Sequence, residues 1–387
     1  MTFDHKIDRL GSSSVKWDMT KAVFGADDIL PMWVADMDFS PPQAVIDALQ
    51  DRVNHKVFGY TYVGDSTSEA ITSWQKRRHG WTIEKNWLLF SPGVVKSIAT
   101  IIKAFTDPGD KILVQSPVYQ PFLSIPEANG REVENCSLIR GESHYDIDFE
   151  AFEASLKKGV KLFLFCHPHN PVGRVWRKEE LIKIAELCKK YHVLVVSDEI
   201  HSDLIYKPYK HIPFASLSED IAKRTFTLIA PSKTFNLAGL QASAIICANP
   251  NFRRKIKEIH KSQGQFTLNP FGIAAMEAAY KEGEEWLENL LQYLQDNITL
   301  VNDYLVEHLS QVNTVKTEAT YLVWLDCREL EMSEDQLQQR LIQKGKVGLE
   351  PGSKFGKGSE GFMRMNIACP RDVVEDGLER FVYALND

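Results

Sequence analysis

The stretch Thr227 to Gln241, TLIAPSKTFNLAGLQ, decides how the rest of the chain is read. An apolar run ends at Pro231, and one lysine, Lys233, follows among small and polar residues. The run TFTLIA (225–230) has the β-branched and aromatic character of a strand buried on both faces. Lys233 therefore falls just past the carboxyl end of a strand. Working outward, similar runs recur as WLLF (87–90), KILVQ (111–115), KLFLFC (161–166), VLVVSD (193–198) and ASAIICA (242–248). Segments of helical period lie between them, as in VVKSIATIIKAF and RKEELIKIAELCKKYH. The alternation predicts an α/β protein with a large, mainly parallel sheet covered on both faces.

Further signals mark the edges of this region. SPPQAVIDALQDRV is expected to open a helix with Ser40 as N-cap, Pro41 at the first helical position and Gln43 completing a capping-box-like pattern. Val45, Leu49 and Val53 then fall on one face. KRRHG (76–80) reads as a solvated helix end. After about residue 283 the character changes. EEWLENLLQYLQDNITLVNDYLVEHL reads as a long amphipathic helix, followed by a smaller α+β unit with strands near EATYLVWLD and GFMRMNIAC. Between those strands SEDQLQQRLIQKG is a capped helix, with Ser333 as N-cap, Gln336 at N3 and Gly345 at its end. The expected division is an N-terminal arm with part of the small domain (1–40), a large domain (41–283) and a small C-terminal domain (284–387).

Composition narrows the class of function. The chain has 387 residues, 44% of them hydrophobic, enough for a large core. The net charge of −7, with both signs mixed along the chain, argues against nucleic acid or an anionic membrane as partner. No apolar run reaches the roughly 18 residues a membrane helix needs. MTFDHKIDRL has neither the basic nor the apolar part of a secretory signal. The six cysteines are scattered, with no pair at ligand spacing, so a cytoplasmic protein with reduced thiols and no zinc site is expected.

Ligands of open α/β sheets bind outside the carboxyl ends of the strands. Four of those ends are polar: Ser91-Pro92-Gly93 after WLLF, HPHNPVGR (167–174) after KLFLFC, DEIH (198–201) after VLVVS, and Pro231-Ser232-Lys233 after TFTLIA. Singly each is weak, because a lysine past a strand is ordinarily surface charge and an aspartate there ordinarily caps a helix. Together they put a glycine turn, an asparagine, an acid and a lysine on one rim.

In order, SPG, NPVG, SDEIH and SK resemble the fold-type I enzymes that use pyridoxal 5′-phosphate (PLP), the aspartate aminotransferase-like group. The matching segments run from about residue 31 to residue 369. The resemblance implies that fold, with a large PLP-binding domain and a smaller α+β domain, and it implies a homodimer. It makes Lys233 the residue that carries PLP as a Schiff base and later moves the substrate's α-proton. It pairs Asp198 with the pyridine nitrogen and Asn170 with the ring's phenolic oxygen. The N–H groups of Gly93, Val94 and Val95, with the Ser232 hydroxyl, would cradle the phosphate. Tyr119 would stack on the ring, Tyr60 would reach the neighbouring subunit's phosphate, and Arg364 would grip the substrate α-carboxylate. Taken alone, Tyr119 also reads as a core tyrosine, Tyr60 as surface packing and Arg364 as an outward strand residue.

Two positions depart from the aminotransferase pattern. Gln241 stands eight residues after Lys233, where that group carries an arginine against the phosphate. His201 stands three residues after Asp198, where that group carries a tyrosine; the histidine also has a structural reading. With LPMWVADMDF (30–39), these departures are similar to the MalY/PatB group of cystathionine β-lyases, the C–S lyases. The implied reaction is α,β-elimination from an L-cysteine thioether such as cystathionine, giving a thiol, pyruvate and ammonia. The alternatives are an aminotransferase of the same fold, and a regulatory binding protein with residual lyase activity.

Overall fold

The protein is described by a computed structural model covering residues 3–386. Seven strands make the large sheet: β1 (Leu88–Ser91), β2 (Lys111–Val114), β3 (Glu132–Asn135), β4 (Leu162–Cys166), β5 (Leu194–Asp198), β6 (Thr225–Ile229) and β7 (Ser243–Ile246). Their order is β1-β7-β6-β5-β4-β2-β3. Every pairing is parallel except those of β7, which runs antiparallel to β1 and β6. The expected strands appear within one or two residues of their apolar runs. The exception is β3, whose sequence EVEN carries no apolar run because an edge strand needs none.

Both faces of the sheet are buried, as continuous apolar strands require. Successive residues alternate between two cores: Ile112 and Val114 with Leu162 and Leu164 on one side, Leu113 with Phe163 and Phe165 on the other. The helix Val94–Phe105 covers the first side with Ile98, Ile101 and Ile102, spaced three and four apart. The helix Lys178–Lys190 covers the second with Leu181 and Ile184.

The helix over SPPQAVIDALQDRV begins at Gln43, with Pro42 as its flanking residue and no side-chain cap. Ser40 therefore does not cap it, and Pro41 lies outside it. Proline disfavours helical geometry in the residue before it, so the Pro41-Pro42 pair delays the start. Val45 is buried on this helix, whereas Val53 is exposed. KRRHG does end a helix, Asp65–His79, at the left-handed Gly80. That end is not wholly solvated, because His79 turns inward to meet Asp203 at 2.9 Å.

The long helix spans Glu284–His308. It leads to a four-stranded antiparallel sheet of β8 (Asn313–Thr314), β9 (Leu322–Asp326), β10 (Glu350–Pro351) and β11 (Phe362–Asn366), in the order β8-β9-β11-β10. The capping box is formed: Ser333 Oγ accepts from Gln336 N, and Ser333 N donates to Gln336 Oε1. The segment after Pro31 ties the two sheets together. Asn366 donates to the carbonyls of Val34 and Asp36, both at 2.6 Å, and Asn236 donates to those of Met37 and Phe39. No helix among the described residues is long and apolar enough to cross a membrane.

Candidate active site

A cavity of about 360 Å³ opens at the carboxyl rim of the large sheet, within the size range of small-molecule sites. The rim is built by topology. The residues after β1, β4, β5 and β6 reach it because those strands run the same way. Antiparallel β7 begins where they end, with Ser243 opposite Ser91 and Ala244 opposite Ile229. Gln241 and Ala242, just before β7, therefore line the cavity too.

Lys233 sits in the helical turn Pro231–Thr234 after β6. Its Nζ donates to the Ala35 carbonyl at 2.6 Å, and the Tyr321 hydroxyl donates to the same oxygen at 3.0 Å. Burial, with help from the Arg364 guanidinium, brings the lysine down to about 8 against the pull of Asp36 and Asp198. Asp198, the last residue of β5, is buried, and among the described residues its carboxylate accepts one hydrogen bond, from the Ile200 N–H at 3.2 Å. Burial pushes it up to about 7, with Ile200 and Lys233 opposing and Glu199 adding to the rise.

The helix Val94–Phe105 points its first turn into the cavity, with Gly93 as its flanking residue. The leading N–H groups of a helix have no partners within it, so this end offers donors and the positive end of a dipole. Ser232 lies alongside. Asn170 accepts from Arg364 Nη1 through Oδ1 at 3.2 Å, which leaves its Nδ2 donor for another partner.

Arg364 is buried, not outward. In β11, Met363 and Met365 go to one core while Arg364 takes the opposite face, above the Phe355 ring at 4.9 Å. It donates to Asn170 Oδ1 and, at 2.9 Å, to the Trp33 carbonyl, and its Nε has no partner among the described residues. Burial lowers it from the ordinary arginine value, with Glu350 opposing. His201 is buried, its Nδ1 has no partner among the described residues, and burial plus Lys233 and Arg364 bring it down to about 3. Its imidazole is therefore neutral at physiological pH.

The structure brings Gly93, Val94, Val95, Tyr119, Asn170, Asp198, His201, Ser232, Lys233 and Arg364 to one cavity. Tyr60 does not join them; it is fully exposed on its own chain. Sequence reasoning missed two side chains, the Tyr321 hydroxyl and the Glu350 carboxylate, and while the MWVAD arm was expected to line the pocket, the hydrogen bonds accepted by the Trp33 and Ala35 carbonyls were not foreseen. Backbone carbonyls leave no signature in a sequence, and Tyr321 reads as core strand. Glu350 belongs to a two-residue strand that carries no periodic pattern.

The residues fit the cofactor that the sequence resemblance implies. Asp198 is a buried acid with one protein donor, suited to a protonated ring nitrogen. The helix start suits a phosphate, and added bulk at Gly93 would meet open space, so the turn leaves room. Among the described residues no group of His, Cys, Asp or Glu is placed to hold a metal ion.

The chain is similar to known proteins over its whole length. Residues 27–381 match the family described as Aminotransferase class I and II. Cystathionine beta-lyase PatB of Bacillus subtilis is 48% identical over 387 residues, covering all of both chains. A PLP-bound protein of Clostridium difficile 630, provisionally assigned as an aminotransferase, superposes with a TM-score of 0.98 at 43% identity, again over the whole of both chains. The PLP-bound C–S lyase of Staphylococcus hominis gives 0.94 at 35% identity, over 100% of this chain and 98% of that one.

Proposed function

We propose that this chain, which belongs to the class I and II aminotransferase family, is a PLP-dependent carbon–sulfur lyase of the cystathionine β-lyase type. The observation that carries the reading is the end-to-end match, at 48% identity, to an enzyme named for that activity. Gln241 and His201, both on the cavity wall, support it. The reaction is α,β-elimination from an L-cysteine thioether such as cystathionine. The Cα–H and Cβ–S bonds break, the sulfur leaves as a thiol, and water releases the remainder as pyruvate and ammonia.

When bound, PLP supplies the electron sink that makes the substrate's Cα–H acidic. Lys233 anchors it and, with its amine free, takes the proton from Cα. An amine held near 8 is neutral in a useful fraction at physiological pH and still basic enough for that step. Asp198 would hold the ring nitrogen in its protonated form, and Asn170, through its Nδ2, would donate to the ring oxygen. The first N–H groups of the helix at Gly93, with Ser232, hold the phosphate without an arginine at position 241. Tyr119, on the cavity wall, would cover the ring. Arg364, with Nε unpartnered among the described residues and its guanidinium held by the Trp33 carbonyl and the Phe355 ring, grips the α-carboxylate and sets which bond faces Lys233.

The same reading divides the chain into an arm (1–40), a large cofactor-holding domain (41–283) and a small domain (284–387) that supplies Arg364. The working unit is a homodimer. Val57, Phe58, Tyr60 and Tyr62 leave large apolar side chains in solvent, a pattern of surfaces that a partner covers. Tyr60 then serves the phosphate of the neighbouring subunit. Six free, buried cysteines support a reducing, cytoplasmic setting.

The test is to mix PLP-loaded protein with L-cystathionine, follow pyruvate through lactate dehydrogenase and record the visible spectrum. Equal amounts of pyruvate and thiol, with the starting spectrum restored, are expected. No pyruvate, with conversion of the cofactor to its amine form, would replace elimination by transamination.

A further inference from the structure

Four ionisable side chains line the cavity with charges at neutral pH to place: Asp198, Lys233, Arg364 and Glu350. The proposed chemistry employs the first three and leaves Glu350 without a task. Its position is fixed by register, because Glu350 on β10 stands directly opposite Arg364 on β11. Opposed residues of an antiparallel pair hold their side chains together on one face. The carboxylate is largely sheltered, its side chain 13% exposed. Oε1 accepts from Lys354 Nζ at 2.6 Å, and Lys354 is about half in water. Oε2 lies 3.7 Å from Arg364 Nη2, too far for a hydrogen bond. Once a substrate carboxylate takes the Arg364 fork, Oε2 remains a negative atom beside the space where the rest of the substrate must lie.

We propose that Glu350 sets the charge preference of the leaving group, an inference that rests on the lyase reading of this same site. Thioethers whose distal end is cationic or carries no net charge, the zwitterionic end of cystathionine included, are accepted, and those whose distal end carries a net negative charge are rejected. The repulsion acts in a sheltered cleft where water screens it poorly. It also disfavours dicarboxylic amino acids, which place a second carboxylate at a similar distance from Cα. Glu350 is thus a specificity residue, touching neither the Cα–H nor the Cβ–S bond.

Three thioethers of similar size separate charge from shape: S-(2-aminoethyl)-L-cysteine, S-propyl-L-cysteine and S-carboxymethyl-L-cysteine. With the holoenzyme, kcat/KM is expected to fall in that order, by roughly tenfold or more from the cation to the anion. Glu350→Gln should collapse the spread. A merely structural role would shift all three compounds together and keep their ratios. Dissociation constants of the same compounds, read from the visible spectrum of the holoenzyme, follow the same order whether or not turnover occurs. Absence of turnover with an intact binding order would therefore sink the lyase reading alone. Similar values for all three compounds in the wild type, or an undiminished spread in Glu350→Gln, would overturn the role of Glu350.

Discussion

Residues 198–203, DEIHSD, separate two cavities and treat buried polar groups in opposite ways on their two sides. Toward the candidate active site, Asp198 has one protein donor and His201 Nδ1 has none among the described residues. Toward the other cavity, Asp203 meets Trp74 Nε1 at 3.0 Å, His79 Nε2 at 2.9 Å and Thr234 Oγ1 at 2.9 Å. Glu199 likewise meets Ser197 Oγ at 2.8 Å, the Phe214 N–H at 3.0 Å and His211 Nε2 at 2.8 Å. Burial alone would raise Asp203, yet His79, Arg78 and Thr234 hold it below the ordinary aspartate value. Asp198, with less help, is pushed up to about 7. The contrast separates two uses of a buried acid. One completed by the protein serves the fold, and one left short of partners marks where a ligand supplies the remainder.

Substitutions on the open side should remove chemistry. The largest effect is expected from Lys233→Ala, which loses both the anchor and the base; kcat should fall by more than about a thousandfold in the pyruvate assay. Arg364→Lys trades a planar fork for a point charge and should lower kcat/KM by about a hundredfold. The lysine also sets a pH dependence. Its amine must lose a proton to act as base, and its value of about 8 lies below the usual 10.5. Activity should therefore rise with pH through about 8 and level off above it, and a profile that falls across that range would contradict Lys233 as base. On the completed side, Thr234→Val removes a donor to Asp203 one residue from Lys233. It should cost about 1–2 kcal/mol in urea unfolding and leave kcat within about twofold. The smallest change is expected from Gln241→Arg. A cation at the cavity wall should tighten PLP binding several-fold in a titration of cofactor-free protein.

The strands of the large sheet were legible because both-face burial writes continuous apolar runs, and KLFLFC and VLVVSD are unmistakable for that reason. The edge strand EVEN was not, since its outer side needs no apolar residues. The site was legible where function sits at the ends of those runs, as with Asn170, Asp198 and Lys233. It was not legible where two sheets meet. The Ala35 carbonyl that Lys233 and Tyr321 share comes from a segment about 200 residues away from Lys233. Glu350 enters the cavity only because β10 pairs with β11. Such contacts follow from register and docking, which no local pattern encodes.

Two matched variants decide whether the open and completed acids differ as argued: Asp198→Asn and Asp203→Asn, each assayed for pyruvate formation and for thermal unfolding. Asp198→Asn should melt no lower than the parent in the cofactor-free form and lose turnover by about a thousandfold, as loss of the proton-holding acid requires. Asp203→Asn should melt several degrees lower yet keep most of its turnover below that temperature. Full turnover in Asp198→Asn, or equal loss of turnover in both with unchanged melting, would contradict the assignment of Asp198 to the cofactor and of Asp203 to the fold.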